Sequence, residues 1–169
     1  GARGVVFGAR LTVVQSLMGA GFPKMGAETG QAIVDIYFKE FPPFEGTEAL
    51  MMNAKRTHYA RQGSLFLEDY PLVLTPFLLA PFFTAGRDTE GAEGVREVLG
   101  RAHWSYLMNF LGLPAGNMPS HVAQMPKGPQ PIGVQIVGRR WREDLIVDAM
   151  EAIEREIPPV CTTLWDRMG

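Results

Sequence analysis

The apolar positions of this chain follow two rhythms. Over most of its length they recur every three or four residues, the spacing of one helix face. In two short stretches, 72–76 and 132–138, they run together instead. Leu11, Val14, Leu17 and Met18 predict a short helix over 9–19, stopped by Gly19, Gly21 and Pro23. Ile33, Ile36, Tyr37 and Phe41 predict another over 28–41, which Pro42 and Pro43 end because proline has no N–H to donate. Thr47 is the expected cap of a long helix running to Tyr70. Its stripe (Leu50, Met51, Ala54, His58, Leu65, Phe66) is loose, and Gly63 costs it about 1 kcal/mol of propensity.

The second half is sharper. Leu72 to Pro76, a short apolar run after Pro71, predicts a buried strand. Residues 84–94, rich in Gly, Thr, Asp and Glu, predict an exposed loop. Val95, Val98, Leu99, Ala102 and Tyr106 predict a helix over 95–111, with Gly112 as its stop. The prolines and glycines of 114–131 predict strand and loop. Ile132 to Gly138, apolar or small except at Gln135, predicts a central strand covered on both faces. Arg142 to Glu156 is the strongest helical segment. Ile146, Met150, Ile153 and Ile157 mark its buried side, Glu143 and Asp144 suit the positive end of its dipole, and Pro158 and Pro159 end it. The tail from Val160 has no periodic signal, although Trp165 is expected to pack. The element order predicts an α/β protein, with helices packed on a small mixed sheet.

Composition narrows the function. The 169 residues are 46% hydrophobic and 20% charged with a net charge of −2, an ordinary globular balance able to bury a sizeable core. The scattered basic residues argue against nucleic acid as a partner. One cysteine, Cys161, excludes an internal disulfide and fits a reducing, cytoplasmic setting. No apolar run approaches the roughly 20 residues of a membrane span, and Arg10 interrupts the apolar start, so neither membrane nor signal peptide is expected. There is no internal repeat.

Candidate chemistry is sparse. His58, His103 and His121 show no metal-ligand spacing, so no metal or other cofactor is expected. Gly112-Leu113-Pro114-Ala115-Gly116 precedes a strand and does not open a helix, which argues against a phosphate loop. Arg139, Arg140 and Arg142 are expected to pair with Glu143 or Asp144 in a solvated loop. Thr75 stands at a strand end, where α/β proteins place ligands, and is a candidate substrate contact.

Two stretches carry a family resemblance. Phe66-Leu67-Glu68-Asp69-Tyr70-Pro71-Leu72-Val73-Leu74-Thr75-Pro76 resembles the amidase signature segment in which a helix runs into a "YDVLLTP"-like strand. Gly112-Leu113-Pro114-Ala115, Pro131 to Gly138 and Arg142-Glu143-Asp144-Leu145 are together similar to that family's "GLPA…GLPVGVQIVG…REDLLL" ending, in order and spacing. The resemblance implies a place within an α/β/α sandwich longer than this chain, and hydrolysis of amide C–N bonds. In the family a serine nucleophile is activated through a cis-bonded serine by a lysine, and backbone amides of a Gly/Ser-rich loop meet the oxyanion. Those motifs belong to the family's N-terminal half. Here Ser16, Ser64, Ser105 and Ser120 have no serine neighbour, and Lys24, Lys39, Lys55 and Lys127 lack a desolvating context, so no catalytic residue is carried over. The same resemblance brings Trp104, Tyr106 and Asn109 toward a substrate pocket, although core packing is the favoured explanation of their spacing.

These readings divide the chain into a helical extension of uncertain role (1–46), an amidase-like region (47–157) and a tail (158–169). The expected partner is the missing amidase half or a second copy, with a homodimer favoured. The alternatives are a non-catalytic binding or oligomerisation module and, with less support, an amidotransferase A-type subunit.

Overall fold

The computed structural model describes residues 36, 39, 46–81, 84–126, 128–157 and 160. The helix expected over 9–19, most of that over 28–41, and Trp165 lie outside them. Within the second segment Ile36 and Lys39 are helical. Among the described residues no helix is long and apolar enough to cross a membrane.

A long helix, α1 (Gly46–Asp69), leads into strand β1 (Leu72–Pro76). Gly46 (φ 46°) opens the helix, so Thr47 lies inside the first turn and does not cap it. The segment expected as a loop folds into a single 3₁₀ turn, Arg87–Thr89, and the start of α2 (Gly91–Arg101). The helix expected over 95–111 is two helices, α2 and α3 (His103–Leu111), broken at Ala102. The reason for the break is packing. Val95 and Leu99 bury fully with Ile36, while Phe110 and Leu111 bury against Ala60 of α1, and Tyr106 touches both clusters. Gly112 (φ 65°) stops α3 as expected, with Leu113 N–H bonded to Met108 O at 3.1 Å.

Strands β2 (Ala115–Met125) and β3 (Gly128–Gly138) form a hairpin, and helix α4 (Glu143–Glu156) closes the described chain, one residue shorter at its start than Arg142 to Glu156. The sheet order is β1-β3-β2, and both described pairings are antiparallel. β3 is central, as its uniform apolar character requires, but it begins at Gly128, four residues before the apolar run. β1 is an edge among the described strands. Thr75 is buried while Leu74 is 61% exposed, so this strand is half-buried, contrary to the expectation of full burial.

Alternation along β3 separates two faces. Ile136 and Gly138 meet α4. Ile136, Met118 and Ile146 form a buried cluster with Leu72, Val134, Met150 and Ile153 around it. Each side chain fully withdrawn from water there contributes roughly 1.5–3 kcal/mol. Contact is close because the sheet has no side chain at two points. A Cβ on Gly116 would lie 2.6 Å from Met150 Sδ, and one on Gly138 would lie 2.8 Å from Ile146 Cγ1. Gln135 and Val137 bury on the opposite face.

The turn from β3 to α4 holds the one non-glycine residue with positive φ among those described, Trp141 at 65°. Such a conformation costs a bulky L residue roughly 1–2 kcal/mol.

Candidate functional site at the end of strand β1

The two family-like stretches, separate in sequence, meet in space. Leu72 to Pro76 pair with Gly138 to Val134, and Ala115 to Met118 pair with Val137 to Val134 on the other side of the same strand. Pro114 O accepts the Gly138 N–H at 3.1 Å, so the Gly-Leu-Pro-Ala turn is tied to the end of β3. β3 is thus the common partner of every strand segment that carries the resemblance.

One polar rung crosses this sheet. Thr75, Gln135 and Asn117 occupy one register position on three strands. Thr75 and Gln135 are buried, at 6% and 2% exposure, and Gln135 Nε2 donates to Thr75 Oγ1 at 3.0 Å. A carboxamide withdrawn this far from water requires partners, and among the described residues Thr75 is its side-chain partner. Asn117 is exposed.

Beyond Pro76 the chain runs along the start of β3 and leaves a cavity of about 340 Å³ lined by Phe77 to Pro81 and Pro131 to Gly133. The wall is apolar. Leu79 N–H anchors it to Arg101 O at the end of α2, at 2.8 Å. Such a space suits an uncharged, apolar group, and the polar rung stands directly up-strand.

The structure separates the candidate substrate contacts. Thr75 is in the sheet beside the cavity, with its hydroxyl bonded to β3 and not to α3. Tyr106 packs into two apolar clusters. Trp104 is half-buried on the same helix. Asn109 is exposed, with Nδ2 donating to Ser105 O at 3.0 Å. Gln135 entered the sequence analysis only as the polar exception in an apolar strand. That exception was the available signal, because a glutamine in a doubly covered strand has to be bonded. The cavity wall had a weaker signal, the apolar run continuing past Pro76.

The serines and lysines described do not form a nucleophile–base pair with one another. Ser64 Oγ donates to Ala60 O at 2.9 Å within α1, and Ser120 Oγ donates to Ile132 O at 3.2 Å across the hairpin. Ser105 sits half-buried on α3, and Lys55 is exposed on α1. Ser16, Lys24 and Lys127 lie outside the described residues. Among the histidines, His58 stacks edge-on with Tyr59, and His103 Nδ1 bonds the Gly100 carbonyl. Among the described residues no three His, Cys, Asp or Glu side chains group as metal ligands.

The arginines work structurally. Arg142 grips Asp144 at 2.9 Å, and that hydrogen bond holds the Asp144 carboxyl below its usual range. Arg139 reaches Glu68 at 3.5 Å and not Glu143. Arg140 Nε donates to Gly112 O at 2.8 Å and Nη2 to Leu111 O at 2.5 Å, while Arg56 Nε donates to Phe110 O at 2.6 Å. Two cations therefore satisfy the last carbonyls of α3, the negative end of its dipole. Arg87 holds Glu90 and Glu97 at 2.6 and 2.8 Å, and its hydrogen bond lowers the Glu97 pKa.

Known proteins bear on this arrangement. The amidase family model matches residues 20–147. Indoleacetamide hydrolase of Bradyrhizobium diazoefficiens is 38% identical over 120 residues, which cover 70% of this chain and 22% of that protein. Its counterpart in Bradyrhizobium japonicum is 36% identical over 120 residues, covering 70% and 25%. The chain thus spans about a quarter or less of the length of these relatives. The structure of 6-aminohexanoate cyclic dimer hydrolase superposes with a TM-score of 0.58 at 23% identity, covering 93% of this chain and 34% of that one. The substrate-bound form of that hydrolase gives 0.57 at 21% identity. Helices packed on a sheet in the manner of these hydrolases is the fold.

Proposed function

The chain belongs to the amidase family, and from that premise we propose that it is the C-terminal part of an enzyme that hydrolyses an amide C–N bond, inactive without the remainder. The observation that carries this reading is the convergence of the family-like segments on β3, with Thr75 and Gln135 bonded at their centre. The reaction in such an enzyme needs an activated serine, a base and an oxyanion site. Ser64 and Ser120, each donating to a backbone carbonyl, have no described base beside them and are poorly set for attack. The nucleophile and its base come from the rest of the polypeptide.

What this chain contributes is scaffold and pocket wall. The apolar cavity after Pro76 takes the acyl part of the substrate, and the names of the relatives at 38% and 36% identity favour an aryl acetamide. Thr75, next to Pro76, is the proposed substrate contact at that end of the enzyme, and Trp104, Tyr106 and Asn109 are proposed contacts on α3, none of them among the residues lining the cavity. No metal or organic cofactor takes part, and the setting is the cytoplasm.

The test is a hydrolysis assay of the 169-residue chain on indoleacetamide and on aliphatic amides. No turnover above the uncatalysed rate is expected. Turnover abolished by Ser64→Ala, Ser105→Ala or Ser120→Ala would overturn the proposal.

A further inference from the structure

Gln135 carries polar atoms that the fold does not use. It is 2% exposed, and its Nε2 donates to Thr75 Oγ1 at 3.0 Å. Among the described residues no other side-chain hydrogen bond reaches this carboxamide. A glutamine amide offers two N–H donors and an acceptor oxygen with two lone pairs. One donor is spent on Thr75, so Oε1 and the second N–H are withdrawn from water without a described partner. Buried polar groups are ordinarily bonded, because leaving one unpaired forfeits its hydration. Thr75 adds a third spare group. Its oxygen accepts from Gln135, which leaves its own proton to donate.

Those atoms stand beside the apolar cavity. Thr75 and Gln135 do not line it, but Phe77, two residues beyond Thr75, and Gly133, two residues before Gln135, both do. Gly133 shares a face of β3 with Gln135 by strand alternation. It puts no side chain between the cavity and the carboxamide, and Val134 turns to the α4 cluster on the other face. Neither the lining residues nor the bonded pair includes a charged side chain. Apolar walls next to one spare donor and one spare acceptor match the two ends of an aryl acetamide, its ring and its carboxamide.

Resting on the function proposed above, we infer that Thr75 and Gln135 together read the carboxamide of the substrate. With the acyl group in the cavity, the Thr75 hydroxyl donates to the amide carbonyl oxygen and Gln135 Oε1 accepts an amide N–H. The pair selects an uncharged primary amide. A ring without the carboxamide leaves both groups unpaired. The carboxylate formed by hydrolysis brings a charge into a site with no cation, so it is released. Gln135 thus binds the amide nitrogen and holds the Thr75 hydroxyl in place for the oxygen.

The test is binding to the 169-residue chain by isothermal titration at neutral pH. The probes share one ring: indoleacetamide, indoleacetate, and skatole, which carries a methyl group in place of the acetamide. Indoleacetamide is expected to bind roughly tenfold or more tighter than either of the others. Thr75→Val and Gln135→Met should each bring its ratio to skatole down to about twofold or less, and Thr75→Ser should keep it. A rung that is merely structural would weaken both ligands together and leave their ratio unmoved. Cooperative melting is recorded for every variant. The double variant Thr75→Val, Gln135→Met strands no polar group, so it supplies the ratio where a single variant does not fold. An unchanged ratio in the folded variants would overturn the inference and leave the proposed function standing. So would indoleacetate or skatole binding the unaltered chain as tightly as indoleacetamide. No binding of any probe would overturn the cavity as the acyl site, and this inference with it.

Discussion

The sheet with α4 and the long helix α1 are built on opposite terms. On the α4 side of the sheet, two positions without side chains let the helix sink until Ile146 and Met150 fill the space, and Ile136 is wholly buried. In α1, Ala60 and Leu67 are the only buried residues among 24, while Leu50, Met51, Leu65 and Phe66 stay exposed. The family-like motifs sit mostly in the first region, with only Phe66 to Asp69 on the end of α1. They code for close packing, which tolerates little change. The second region is a helix sustained by few contacts with the described body, and most of its apolar residues face solvent.

That contrast can be broken at several points. Ile136→Asp should have the largest effect. An unpaired charge at a site with 0% exposure abolishes cooperative melting and soluble expression. Val134→Asp, at the half-buried rim of the same cluster, should also prevent soluble folding, and a retained melting transition with either change would show that β3 is not the core. Next, Gly138→Ala should destabilise by about 1–3 kcal/mol in denaturant titration, because the new methyl meets Ile146, with partial recovery in the Gly138→Ala, Ile146→Val double variant. Equal loss with and without the second change would mean that α4 is not the obstacle.

The polar rung gives a smaller effect. Thr75→Val strands the Gln135 amide and should cost about 1–3 kcal/mol, whereas changing both residues to apolar ones of similar shape should cost less than the two single changes summed. Additive losses from a double-variant cycle would show that the 3.0 Å bond is not coupled. Leu50→Lys on α1 should fall within about 0.5 kcal/mol of the parent chain, since it removes no buried contact.

Acid should act least and in a known direction. Glu97 and Asp144 have lowered pKa values, first through hydrogen bonds from Arg87 and Arg142. Their contribution is present above the unfolded carboxylate values, near ~4, and is lost as pH falls through the lower folded values. Both are solvent-facing pairs, so melting temperatures at pH 7 and pH 5 should coincide. Divergence between those two values would require another titrating group.

Much of this was legible from residue order. Helix α4, with its Ile146–Met150–Ile153 stripe and acidic first turn, and the stop at Gly112 depend on local chemistry, and both stand as read apart from one residue at the start of α4. So does the Ile132 to Gly138 part of β3, because a strand covered on both faces needs an apolar run and shows one. Elements whose form depends on distant partners were less legible. The break at Ala102 arises because α2 and α3 bury against different clusters, and no periodicity within 95–111 contains that. The start of β3 at Gly128 depends on pairing with Met125, across prolines that in isolation signal a loop.

The sequence alone determined the family, the central strand, the closing helix and the lack of a recognisable serine–lysine motif, because each is written in neighbouring residues or in short fixed spacings. Tertiary structure alone decided that Thr75 meets Gln135 across 60 residues, that α4 rests where Gly116 and Gly138 leave room, and that Trp141 is held in water. Those outcomes are set by which surfaces come within a few ångströms of each other, and distance along the chain does not encode distance in space.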